Sequence, residues 1–434
     1  MLKDCQRLGQ VSFPGLVFTQ ADMQGAIDLF TRDKVDMVLA IYLSWADDAA
    51  WNRFLRDMPP VPVLFAHRMR DSIDLKDTHD PDEFTEYLCC GGLVGMLEAS
   101  GNNRAMDRAM LTSFVGTWAQ IISRAERFGR AARARALMRQ SVIGLLGGFN
   151  EAMWSTYVHP HDVFRVMGPE LRFLTISELC DAIDSIPEIA AEAAMRRIAQ
   201  RYPVLPGVRE DKFLASVHAS MALEKVAREH GLELMVLNDI NTQLFKQVGL
   251  RPGFCPTDEQ VDTLFVPEGD VGAGLAVYML WLLTQRHVHF IEPFHIDLPN
   301  DNFAAGHAGP NDYTDPEGST RISIDVRFAA SPWKHAGAPF AWHVFSPGVK
   351  TMLHCSYKQG RFIMVSTLIE SLPCEHFLAT YSHGLFRPVG QSSQALFARL
   401  LDIGVTQHYG IVSGDVRDAL QDLAGMLGID YQSI

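Results

Sequence analysis

PEGDVGAGLAVYMLWLLTQRHVHFIEPFHID, residues 267–297, sets three patterns end to end. A loop with two carboxylates, Glu268 and Asp270, passes into AGLAVYMLWLL, apolar on every side, and then into a short buried run, Val288–Ile291, that stops at Glu292. The apolar run is about half of the roughly 20 residues a membrane span requires, so it predicts a core helix. A buried helix feeding a buried strand belongs to a layered α/β protein, and it can bring Glu268 and Glu292 to one edge of a sheet. After Glu292 a polar loop carries His295, Asp297, Asp301, His307 and Asp312.

Upstream, strand and helix patterns alternate. VDMVLAIYL (35–43) and VPVLFAH (61–67) are continuous apolar runs, as strands covered on both faces require, with AWNRFLRDM as the crossover helix between them. A single long helix is expected from Asn103 to Ala136, connecting two domains. A second α/β run starts at RQSVIGLLGG (139–148) and continues through a helix, LRFLTISEL, another helix and LELMVLND (232–239). Gly147 and Gly148 lack the spacing of a phosphate loop. From about residue 286 short strands separated by Pro, Gly, Asp and Asn take over: STRISIDVRF, FAWHVF, TMLHCSY and RFIMVSTLIE. These predict an antiparallel barrel or sandwich. GDVRDALQDLAGMLGI closes the pattern as an amphipathic helix with Asp415 at its start. The expected fold is α/β plus β: two Rossmann-like α/β domains, 1–136 with the connector helix and 137–285, then a C-terminal antiparallel β-barrel-like domain with the terminal helix, 286–434.

With 434 residues, 47% hydrophobic and 21% charged, the chain has the composition of an ordinary globular protein. A formal net charge of −13 argues against nucleic acid or an anionic membrane as partner, since both call for clustered Lys and Arg. The seven cysteines form no CxxC pair, so they are expected to be reduced and buried, in the cytoplasm. No basic segment followed by an apolar one opens the chain, so export is not expected.

Asp270 is placed to cap the core helix, which is its ordinary reading. Two carboxylates with one or two imidazoles suit a hard divalent cation with an open position, Mn2+ or Mg2+, better than zinc. His307, in a Gly-rich stretch, and His408, before the terminal helix, are the candidate imidazoles. His287 and His289 share a strand face in an HxH pattern, more often a hydrogen-bonded surface pair than a metal pair. His295 and His383, together with Asp270, are expected substrate contacts. His159, His161, His335, His343, His354 and His376 receive no functional reading.

The chain resembles the L-fucose and L-arabinose isomerases over LVFTQADMQGAIDLFTRDKVDMVLAIY, ARALMRQSVIGLLGGFNEAMW, GLRPGF and HYGIVSGDVRDALQDLAGMLGI. The most specific part is the segment quoted at the outset, where Glu292 follows Glu268 by 24 positions. The resemblance implies an intramolecular oxidoreductase, a metal-dependent aldose–ketose isomerase acting on an open-chain pentose or deoxyhexose. Its cation is usually Mn2+, with Mg2+ or Co2+ as alternatives. It implies that Glu268 and Glu292 are both ligands and the acid and base, that His408 completes the metal set with His307 as a fourth ligand or a group just behind the ligands, and that the partners are a sugar and further copies of the chain, as a trimer, tetramer or hexamer. It also implies a strand–loop–helix unit ahead of MLKDCQRLGQVSFPG, so that the first sheet lacks one strand. The alternatives are an epimerase or lyase on a related sugar or sugar acid, and a non-catalytic sugar-binding relative.

Overall fold

The computed structural model describes the chain except residues 47, 70–71, 73–74, 78, 90–92, 258–261, 327–328, 333–335 and 379–380, and the side chains of residues 86 and 89. Cys90 and His335 lie outside the described residues. The chain divides into two compact units, Met1–Ala136 with Asp418–Gly428 and Leu137–Arg417 with Ile429–Ile434.

The first unit is built on a parallel sheet of β1 (Val38–Tyr42), β2 (Val63–Arg68) and β3 (Leu111–Gly116), in that order. Central β2 buries Val63, Leu64, Phe65 and Ala66 completely, which accounts for its unbroken apolar run. The single helix expected over 103–136 is instead two helices, Leu93–Ala105 and Trp118–Met138, with β3 between them. Asp107 and Met110 turn the backbone through positive φ, and LTSFVG then pairs with β2, so sheet contacts override the helical composition around it. The terminal helix Arg417–Leu427 supplies Asp418–Gly428 to this unit. There Arg124 grips Asp422 with two parallel bonds, of 2.6 and 2.5 Å. Asp415 accepts the Arg417 N–H at the start of that helix.

The second unit begins with a parallel sheet ordered β5-β4-β6-β7: β4 (Val142–Leu146), β5 (Glu170–Leu174), β6 (Leu234–Leu237) and β7 (Leu264–Val266). The core helix Val271–Thr284 follows, capped by the Asp270 side chain on Ala273 N–H. It packs on β6 and β7 and also on the barrel, so it is apolar all round because it is covered all round. Glycine makes the barrel contact possible: a Cβ on Gly272 would lie 2.6 Å from the Cys355 carbonyl oxygen.

The remaining strands are β8 (Val288–Asp297), β9 (Asn302–His307), β10 (Ser319–Ile324), β11 (Pro339–Val344), β12 (Gly348–Lys358), β13 (Arg361–Leu372), β14 (Ser382–Pro388), β15 (Tyr409–Ser413) and β16 (Asp430–Ser433). Six of them, β14-β9-β8-β15-β12-β13, close into an antiparallel barrel through the β13–β14 pairing. Ile291, Phe303, Ile369, Phe386 and Ile411 share its apolar core. The fold is therefore mixed α/β plus a β-barrel.

The strand carrying Glu292 does not stop there. It continues past a bulge between Pro293 and His295 to Asp297, and the chain returns as β9, so His295 and Asp297 stand on a strand and His307 closes one. Closed barrels tolerate such irregularity where a side chain has to be re-aimed. No helix among the described residues is long and apolar enough to cross a membrane. Cys5, Cys180, Cys255, Cys355 and Cys374 are free thiols, of which only Cys255 and Cys355 are buried.

Candidate metal centre

Glu268 leaves the carboxyl end of β7, Glu292 comes from the middle of β8, His307 ends β9 and His408 directly precedes β15. The strand pairing explains why they meet: Glu292 is opposite Gly306 across the β8–β9 hairpin, and Tyr409 is opposite Ile291 on the other side of β8. One ligand atom from each of the four residues lies within 4.8 Å of the others. His307 Nε2 is 3.4 Å and His408 Nε2 3.3 Å from Glu268, and each is 3.9 Å from Glu292. Both imidazoles are buried, and the ring of Phe290 packs against each of them.

Hydrogen bonding sets the tautomers. His307 Nδ1 is bonded to the Ala308 carbonyl at 2.5 Å and His408 Nδ1 to the Asp270 carboxylate at 2.9 Å, so in the neutral form of each ring Nδ1 carries the proton and Nε2 the lone pair. Those two Nε2 atoms and Glu268 Oε2 are buried with no hydrogen-bond partner. Lone pairs aimed at a carboxylate at such distances repel unless a positive centre lies between them. A proton is one such centre. Burial pushes the His408 pKa down, but Asp270 and Glu268 more than offset this and hold it up at about 9. Burial likewise raises the Glu268 carboxyl, yet His307 and His408 bring it well below the usual carboxylate range. A divalent cation is the other centre, and two carboxylates with two imidazole lone pairs fit it.

Asp270 stands behind the histidine. One oxygen caps the core helix and the other orients His408, so this expected substrate contact lies behind the imidazole. Nor are the other two expected contacts in the cluster. His295 is exposed and lines an open cleft with Asp297, Asn300, Phe377 and Arg387. His383 is buried, with Nδ1 bonded to the Tyr381 carbonyl at 2.7 Å and its ring against Phe377.

Sequence reasoning missed the residues that brace the site. Asp239, beyond β6, accepts the Glu268 N–H at 2.8 Å and holds Arg251 in a buried ion pair. Arg251 reaches on to the carbonyl of Ala308, next to His307. The segments LELMVLND and GLRPGF contain these two residues, but nothing local to either marks them as partners. His354 fixes the stretch before β15 by bonding the His408 carbonyl at 2.9 Å. Asn311 pairs its side chain with both backbone groups of Phe290. Glu268 itself sits at φ +65°, a conformation that costs a non-glycine residue about 1 kcal/mol or more.

A scan against protein-family models finds none that matches this chain, and a search of curated proteins returns no match.

Proposed function

We propose that the chain is a metal-dependent aldose–ketose isomerase of the L-fucose and L-arabinose isomerase type, acting on an open-chain pentose or deoxyhexose. The observation that carries this reading is the convergence of Glu268, Glu292, His307 and His408, with three buried, unpartnered atoms facing one another. The two parallel sheets are read as Rossmann-like. Mn2+ is the proposed cation, and a cytoplasmic homo-oligomer the proposed form.

In this reading His307, His408 and the two glutamates hold the ion. When bound, the cation supplies a Lewis acid for the two sugar oxygens at C1 and C2. Glu292 suits the carbon-bound proton because its side chain is 25% exposed and lies farther from the imidazoles than Glu268 does. It would take the C2 proton of the aldose and deliver it to C1, while the hydroxyl proton passes from O2 to O1 on the Glu268 side. Glu268, only 12% exposed and clamped between two imidazoles, stays ionised and orients the oxygens. Phe290, packed on both rings, limits water at their backs.

The test is to incubate Mn2+-loaded protein with a panel of aldopentoses and deoxyhexoses in D2O, following ketose formation and deuterium at C1. Ketose is expected from at least one of them, and Glu292→Gln should abolish both turnover and most Mn2+ binding at this site. A product epimeric at C2 would favour the epimerase. A metal-loaded protein that neither converts nor exchanges any sugar would sink the proposal.

A further inference from the structure

A second ligand-type group stands on β8, on the face opposite Glu292. His289 alternates with Phe290 and Glu292 along the strand, and its ring lies beside His343 of β11 at 5.2 Å between centroids. Asp315, from the segment between β9 and β10, completes the group. One ligand atom from each of the three residues lies within 4.8 Å of the others, and all three residues are buried.

Hydrogen bonds again decide which nitrogen is free. His289 Nδ1 lies 3.1 Å from the Asp312 carbonyl and donates to it, so Nε2 carries the lone pair, 3.5 Å from Asp315 Oδ2. His343 Nδ1 is 2.8 Å from Thr320 Oγ1, whose single hydroxyl proton is given to the Tyr313 carbonyl at 2.8 Å. The hydroxyl must therefore accept from Nδ1–H, which leaves the His343 Nε2 lone pair without a partner and fully buried. Leaving such an atom unmatched costs about 1–3 kcal/mol. Burial keeps that ring neutral, so its lone pair is not lost to a proton. The buried Lys350 ammonium donates to Ser346 and Ser413, and the Ser346 hydroxyl stands between it and Asp315.

We propose that His289, Asp315 and His343 form a second divalent-cation site, structural in role, that takes a borderline ion of the zinc type. Two imidazoles and one carboxylate with no thiol are a donor set for such an ion, and the carbonyl and hydroxyl behind the rings fix both tautomers as metal-binding histidines require. The position gives it a purpose. The β10–β11 hairpin joins the barrel at β14 through a single register pair, Val344 with His383. A cation shared by β8, β11 and the β9–β10 segment ties that hairpin down, and with it the segment that begins at His307.

The site is tested by stripping the protein of metal, reloading it with Zn2+ or Co2+, and counting tightly held ions. Two per chain are expected for the natural sequence and one for Glu292→Gln. Asp315→Asn should also hold one, with the Mn2+ electron paramagnetic resonance signal of the first site retained as proof of folding. Zn2+ should raise the melting temperature of Glu292→Gln, but not of Glu292→Gln combined with Asp315→Asn. Should Asp315→Asn fail to fold, Gly318→Ala serves instead: its methyl group would come within 2.5 Å of His343 Nε2 and should evict the ion. Thr320→Val, which removes only the tautomer-setting hydroxyl, should weaken the second ion about ten- to a hundredfold. The proposal is overturned if Glu292→Gln holds no ion, or if the variants aimed at His289, Asp315 and His343 still hold two.

Discussion

At the scale of single residues, His408 makes the sharpest statement. A free imidazole titrates near 6.5, but Asp270 and Glu268 hold this one up at about 9 against the opposing effect of burial. Because the folded value exceeds the unfolded one, the stabilisation is complete below about 6.5 and is lost as pH rises through about 9. The metal-free protein should therefore lose thermal stability across that window. A metal ion needs the same lone pair, so Mn2+ binding at pH 7 should expel about one proton, and apparent affinity should climb up to tenfold per pH unit before levelling above about 9. Calorimetric titration in two buffers of different ionisation enthalpy measures this; heats that do not depend on buffer would remove His408 from the ligands. Asp270 allows a companion experiment. Asp270→Asn keeps a good helix cap but loses the charge behind the imidazole, so metal affinity should drop about ten- to a hundredfold with little change in unfolding midpoint. Asp270→Ala should lower both, with a loss of about 1 kcal/mol of stability for the missing cap. Equal metal affinity in all three proteins would show that the carboxylate acts only as a cap.

Among the elements, the core helix is the one on which the site depends, and its sequence announces it. An apolar stretch with no polar face has to be covered on all sides, and the carboxylate before it is a cap whatever else it does. The close contact with the barrel is less visible. Gly272→Ala should cost roughly 1–3 kcal/mol, because the new methyl would press on the Cys355 carbonyl and displace the helix. That outweighs the gain of under about 1 kcal/mol that alanine brings to a first helical turn. Urea unfolding would measure the difference, and a variant as stable as the parent would mean that the helix shifts at no cost. Strand types were legible upstream because parallel strands buried on two faces are written as unbroken apolar runs. Glu292 was legible as a ligand candidate but not as a mid-strand residue, since a bulge leaves no mark in Glu-Pro-Phe-His beyond its proline. His343 and His354 were opaque for another reason. Each gains its meaning from a partner on a distant strand, and a lone histidine on a β-strand looks the same with that partner or without it.

At the level of the whole molecule, the terminal helix was legible as amphipathic, yet nothing in its periodicity says whose core it completes. Arg124 and Asp422 answer that, with side chains only 15% and 7% exposed. Removing one partner strands the other, so Asp422→Ala should lower stability by roughly 3–5 kcal/mol, whereas replacing both with apolar residues, as in Arg124→Met with Asp422→Leu, should come close to neutral. Thermal melts of the three proteins decide between this and a mere surface ion pair, for which the single and double variants would differ little. The same helix carries a consequence for how the chain is made. The N-terminal unit finishes with Asp418–Gly428, so the residues up to Ala136 leave the ribosome well before the segment that closes their core exists. At about 5–20 residues per second the delay is on the order of tens of seconds. During that interval the nascent first unit lacks part of its apolar core, and it can close that core only once residues 418–428 have been made.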